Sequence, residues 1–192
     1  APLSGGSGIP QSEGEMMGIF DMQPYRTFIS KYFGGVFNGL CGFSVGREGP
    51  SVQLGGAIGT IVSYFFRSSL REQRILTSAG VAAGLTAAFS APVSGAIFVF
   101  EEVHKSFYTV LVIPTFTAAL MSNFVTSVLF GLQPSLGFTV WVGMPITYFS
   151  YLLLVGVVTG FLGVIFNRSI LLFKDLFGRV KLSGALKMII TF

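Results

Sequence analysis

Residues 106–167 read SFYTVLVIPTFTAALMSNFVTSVLFGLQPSLGFTVWVGMPITYFSYLLLVGVVTGFLGVIFN. These 62 residues contain no Asp, Glu, Lys or Arg. A helix that crosses a bilayer needs roughly 20 consecutive apolar residues. The stretch therefore has room for two spans, and 108–130 and 148–173 fit them, joined by a loop at 131–147 that carries Pro134 and Pro145. The whole chain agrees. Only 12 basic and 8 acidic residues occur among 192, which is 10% charged, against about 25% in soluble domains. Hydrophobic residues make up 52%, with 21 Phe and 25 Gly. A soluble core helix does not need this composition, and a membrane domain does.

Moving toward the N-terminus, the apolar runs become shorter and more interrupted. Residues 75–100 carry no charge but hold Ser90-Ala91-Pro92 in their middle. Proline removes a backbone donor and restricts the residue before it, so this run divides into two shorter helices. Residues 51–66 predict a short apolar helix, and 27–45 another. Polar interruptions separate them: GREGP at 46–50, a basic loop at 67–74 with Arg67, Arg71 and Arg74, and EEVHK at 101–105. Residues 1–12 read as loop, and 13–31 hold charges and a turn signal at Gln23-Pro24. No soluble domain or low-complexity segment is visible. The expectation is one all-α, multi-pass integral membrane domain over 1–192, of tilted and broken helices.

The formal net charge is +4. The basic residues sit in short stretches beside apolar runs, as loops flanking spans do, and not among exposed aromatics, so nucleic acid is not an expected partner. Lipid is. The single Cys41 offers no intramolecular disulfide and no metal site. The chain opens on a Gly-Ser loop without a cleavable signal pattern, which reads as the interior of a longer protein.

Three stretches carry chemistry. Breaks in membrane helices are tolerated where backbone lines a cavity or is buried in protein. The exposed N-terminal N–H groups of such half-helices attract anions. Gly5-Gly6-Ser7-Gly8-Ile9-Pro10 suits this role: glycine lets backbone approach an ion, Ser7 adds a hydroxyl donor, and Pro10 fits a first helical turn. An ordinary turn would use the same residues. Gly46-Arg47-Glu48-Gly49-Pro50 is sharper, because an ionisable pair inside an apolar region marks a functional site by default. A carboxylate at a helix N-terminus stands where a bound anion would stand; a solvated surface loop is the alternative. Glu101-Glu102 ends the broken run and reads most simply as a solvated helix end. Glu101 and His104 also have Glu-x-x-His spacing, but His104 is the only histidine, so a paired carboxylate–histidine metal site cannot be completed. No enzyme activity and no cofactor are expected.

GSGIP at 6–10, GREGP at 46–50 and GLTAAFSAPVSGAIFVFEE at 84–102 resemble the CLC family of chloride channels and chloride/proton exchangers, in order and in spacing. The family commonly has Asn where this chain has Ser90. The resemblance implies a CLC-type bundle of which this chain is the first of two inverted repeats. It lacks the second-half Gly-x-Phe-x-Pro motif and the Tyr that closes the inner chloride site, and members are roughly twice this length or more. By resemblance, Ser7, Gly8, Ile9, Arg47, Glu48 and Gly49 line the chloride path, with Ser7 coordinating through its hydroxyl. Glu48 is the gating glutamate that competes with chloride, and Glu102 the inner glutamate that passes protons. Chloride is then a substrate and not a cofactor, proton the second transported ion, and a homodimer the assembly. A passive channel on the same fold is the alternative, and a non-transporting scaffold a more distant one. Ser7 argues against a fluoride-selective relative.

Overall fold

The computed structural model describes residues 4–19, 21–43, 46–131 and 148–179. Among these residues every regular element is helical. The order is α1 (Ile9–Met17), α2 (Pro24–Leu40), α3 (Glu48–Phe65), α4 (Leu70–Phe89), α5 (Pro92–Phe98), a π-helical turn (Val99–Val103), α6 (Thr109–Phe130) and α7 (Phe149–Arg179). The chain divides into two compact units, Ala1–Gly137 and Phe138–Phe192. The first holds α1 to α6. The second contributes α7, whose Leu, Val, Ile and Phe side chains between Phe149 and Leu176 are exposed. Among the described residues, α6 and α7 are long and apolar enough to cross a membrane. At 9 residues and 1.5 Å of rise per residue, α1 is only about 13 Å long.

Local signals explain most boundaries. Pro24 opens α2 at its first position, where the missing N–H is not needed. Ser90 sits in the left-handed region (φ 55°) and ends α4, and Pro92 begins α5, so the run at 75–100 divides where the proline predicts. Other boundaries differ from the sequence reading. The basic loop predicted at 67–74 is shorter, because Ser69 and Glu72 form a capping box that starts α4 at Leu70. The helix predicted from 51 begins at Glu48, since Pro50 lies in the first turn, where no intrahelical donor is lost. The loop predicted for 1–12 gives way to α1 at Ile9, after Gly8 turns the chain at φ 98°. The connection predicted at 131–147 lies outside the described residues beyond Gly131.

The centre of the first unit is the α3–α4 pair, packed through glycine. A Cβ at Gly55 would overlap the Gly80 carbonyl, one at Gly59 the Leu76 carbonyl, and one at Gly84 the Ser51 carbonyl. Residue numbers rise along one helix as they fall along the other, so the pair is antiparallel. Gly55–Gly59 and Gly80–Gly84 each have Gly-x-x-x-Gly spacing, the arrangement by which membrane helices gain close van der Waals contact without a hydrophobic driving force. The remaining core is small: Val52, Val81, Ala82, Ala96, Val99, Val103 and Ala119 are buried together with Met16. α6 closes one side, with Ser122 Oγ donating to the Ala83 carbonyl (2.8 Å).

Candidate functional site

The loop before α1 and the first turn of α3 interlock. A Cβ at Gly49 would overlap the Ser7 carbonyl oxygen and stand 2.7 Å from Ser7 Oγ. A Cβ at Gly8 would lie 2.9 Å from the Gly49 carbonyl and 3.0 Å from Gln53 Cβ. Only two glycines facing each other permit this approach. Gly8 needs to be glycine a second time, for its positive φ. Two helix N-termini, those of α1 and α3, thus meet at one point, with the Ser7 hydroxyl between them. Each N-terminus carries partial positive charge on amides without intrahelical partners.

Side chains missed in the sequence hold this junction. Lys31 Nζ, from α2, donates to the Gly6 carbonyl (2.8 Å). Gln11 Nε2 donates to the Gly5 carbonyl (2.9 Å), and its Oε1 accepts from the Gly8 N–H (3.1 Å). Gly8 therefore has its amide engaged by Gln11, while its contribution to the junction is its shape. Ser4 and Ser30 hydroxyls pair at 3.0 Å. Gln53 is fully buried beneath Gly8 and donates to Met22 Sδ (3.4 Å). Lys31 had a visible signal: it is the one charge in the apolar run 27–45.

Glu48 occupies the first turn of α3 and is exposed. It lines a cleft of about 460 Å³ with Ile9 from the first helix, Leu85 and Phe89 from α4, and Ser94, Phe98 and Glu101 beyond the break. The preceding Arg47 is engaged by α4, its guanidinium 5.3 Å from the centre of the Phe89 ring. It stacks there as a cation on an aromatic face.

Glu101 and Glu102 sit in the π-helical turn, whose Val99, Phe100 and Val103 are buried while both carboxyls are exposed. Such turns interrupt a helix and recur at functional sites. Glu101 faces the cleft that also holds Glu48. Glu102 lies on the same turn, which is tied to α1 by Lys105 Nζ donating to Glu13 Oε1 (2.7 Å). Glu13, with Glu102 adding to it, holds the Lys105 ammonium above the usual lysine range. The middle of α1, which begins at the Ser7 junction, is thus tied through Glu13 to the residues just after the Glu102 turn. His104 accepts from or donates to Ser78 Oγ at 2.8 Å. Among the described residues no group of His, Cys, Asp and Glu side chains is arranged to hold a metal.

The family model for voltage gated chloride channels matches residues 1–192. The chain is 36% identical over 183 residues to the H(+)/Cl(-) exchange transporter ClcA of Cronobacter sakazakii, covering 94% of this chain and 39% of that protein. It is 38% identical over 180 residues to ClcA of Vibrio cholerae serotype O1, covering 92% and 38%. A crystal structure of a slow cyanobacterial Cl-/H+ antiporter superposes with a TM-score of 0.84 at 31% identity, over 94% of this chain and 43% of that one. The chain thus spans well under half the length of the relatives it matches. With its motifs, its helical membrane fold and a family match from end to end, the chain belongs to the voltage gated chloride channel, or CLC, family of integral membrane proteins.

Proposed function

We propose that the intact protein containing this chain is a chloride/proton antiporter, and that the Ser7–Gly49 junction forms one wall of its chloride path. The observation that carries this reading is the interlock itself. Two helix N-termini and one hydroxyl converge there, while the nearest cations are engaged by other groups, Arg47 by the Phe89 ring and Lys31 by the Gly6 carbonyl. Amide dipoles and a hydroxyl hold an anion without the tight grip of a fixed cation, which a transport site needs in order to release it. The resemblance to named exchange transporters supports the same conclusion.

In this reading Glu48 is the gate. Its carboxylate, on the first turn of α3, competes with chloride for the same positive end of the helix. Protonation discharges it, and chloride takes its place. Release of the proton returns the carboxylate and expels the ion. Proton and chloride thus alternate at one position, and movement of one in one direction drives the other in reverse. Glu102, on the π-helical turn, exchanges protons between the interior and water. Chloride is the substrate, no cofactor is required, and the assembly proposed by resemblance is a homodimer in lipid.

Reversal potentials of the reconstituted intact protein, measured with and without a pH gradient, test this. An antiporter's reversal potential shifts with the pH gradient. A potential set by chloride alone would identify a passive channel and refute the exchange reading.

A further inference from the structure

Glu15 belongs to none of the three motifs, yet it is half-buried, with one carboxyl oxygen fully enclosed. Its Oε2 has no contact with solvent and no hydrogen-bond partner. Its Oε1 lies 3.4 Å from Thr60 Oγ1 of α3. Thr60 Oγ1 is 2.8 Å from Thr77 Oγ1 of α4, and Thr77 Oγ1 is 2.9 Å from the Gln73 carbonyl oxygen. Both threonines are buried. Ser12, one turn earlier on the same face of α1, is also fully buried, and its Oγ has no partner.

Each hydroxyl has a single hydrogen to donate. Thr77 reaches the Gln73 carbonyl only as a donor. Thr60 has one hydrogen for three acceptors, Thr77 Oγ1, the Gly56 carbonyl at 3.1 Å and Glu15 Oε1, and spent on either of the first two it is not available to Glu15. In those arrangements Glu15 bonds Thr60 only as a donor, which requires a protonated carboxyl. When Glu15 is ionised, Thr60 must donate to Oε1 and give up both Thr77 and the Gly56 carbonyl as acceptors, and Thr77 can bond Thr60 only by leaving the Gln73 carbonyl. Oε2 then remains an anionic oxygen without solvent or donor, the costly condition for a buried charge.

The groups around Glu15 do not relieve that cost. α3 presents Thr60, which is uncharged. α4 presents Thr77 and, one turn earlier, Arg74, whose guanidinium lies against Gly18 at the end of α1. The segment after α1 brings Asp21, a like charge. The end of the π-helical turn brings His104, which bonds Ser78 beside Met16. Glu13, on α1 itself, is tied to Lys105. Among the described residues none forms an ion pair with Glu15. Burial, reinforced by Asp21 and offset in part by the Thr60 hydroxyl, pushes its carboxyl up to about 7.

α1 begins at the loop that interlocks with Gly49. A charge appearing on its inner face favours any displacement that brings Oε2 to water, and such a displacement carries Ser7 and Gly8 with it. We propose that Glu15 is a buried proton site that sets the halide affinity of the Ser7–Gly49 junction by holding α1 against α3 and α4, tightening the junction when protonated and loosening it when ionised. Glu15 is thus a positioning residue, and this role rests on the junction being the anion site.

The test uses the intact protein carrying Glu48→Gln and Glu102→Gln, so that neither motif glutamate titrates. Chloride affinity is measured by calorimetry at pH values well below and well above about 7. The expected result is affinity weaker by about fivefold or more on the alkaline side, the lower end of ordinary coupling between sites. Adding Glu15→Gln, whose amide can still donate to Thr60 but cannot ionise, holds the tight value at both. Adding Thr60→Val instead removes the donor to the ionised carboxyl and moves the midpoint to higher pH. Equal pH dependence with and without Glu15→Gln overturns the proposal, as does a parent protein whose affinity is flat while still sensitive to Gly49→Ala. Chloride binding that is absent, or indifferent to Gly49→Ala, overturns the anion-site reading and this proposal with it.

Discussion

Gly49→Ala perturbs the junction with a single methyl group. The added Cβ would stand 2.7 Å from both the Ser7 carbonyl carbon and Ser7 Oγ, where ordinary contact begins at 3.4 Å. The Ser7 loop and α3 must separate by about 0.7 Å at least, the difference of those two distances. Both neighbours are backbone or short side chain and cannot swing aside. Overpacking of this kind costs about 1–3 kcal/mol. If that cost falls on the bound state, halide affinity drops roughly fivefold to a hundredfold, at 1.4 kcal/mol per decade. The assay is halide titration calorimetry on the intact protein in detergent. Gly34→Ala in α2 is the control, because a Cβ there meets nothing within 4 Å, and its affinity should equal that of the parent. Unchanged affinity in Gly49→Ala, with the fold preserved, would refute the claim that the two helix starts form one anion site.

Ser7→Ala removes the side-chain hydroxyl at the junction and should weaken halide binding by about 1 kcal/mol, the net value of a hydrogen bond, without loss of folded protein; calorimetry and size exclusion read the two effects. Glu102→Gln should abolish proton movement while chloride still moves, and persistent proton uptake in liposomes would make Glu102 a solvated helix end. The Glu15 shift also has a stability consequence. Its folded value is raised from the ordinary 4.5 to about 7, so its favourable contribution is complete below 4.5 and is lost as pH rises through 7. That loss amounts to roughly 3 kcal/mol, and Glu15→Gln should flatten the fall in apparent Tm between pH 5 and 8; an unchanged slope would assign the pH dependence elsewhere.

The membrane class was legible because a soluble surface cannot be built without charge over a run of 62 residues, whereas a bilayer interior demands such a run. The break at Ser90-Ala91-Pro92 was legible because proline's covalent geometry dictates it. The loop-then-proline patterns at Pro10 and Pro50 marked two helix starts as candidate sites, and the approach of Gly8 to Gly49 brings them together. What escaped was long-range. Lys31 is 25 positions from Gly6, and no local pattern links an α2 lysine to an N-terminal loop carbonyl. The glycine contacts of α3 with α4 follow Gly-x-x-x-Gly spacing that could have been noticed, although spacing alone does not name the partner helix. The π-helical turn depends on an extra residue per turn being accommodated by its neighbours, a tertiary effect. Glu15 looked like one of several charges near a turn. Its burial follows only from the way a short helix lies in the groove between α3 and α4.

In the proposed mechanism Glu48, at the start of α3, trades its proton for chloride at the Ser7–Gly49 junction. The most direct measurement is proton uptake driven by a chloride gradient in liposomes, comparing the intact protein with Glu48→Gln. The amide fits the same space but can neither load nor release a proton, so uptake should vanish while chloride flux continues and loses its pH dependence. Proton uptake that persists in Glu48→Gln at the parental ratio to chloride would contradict this exchange.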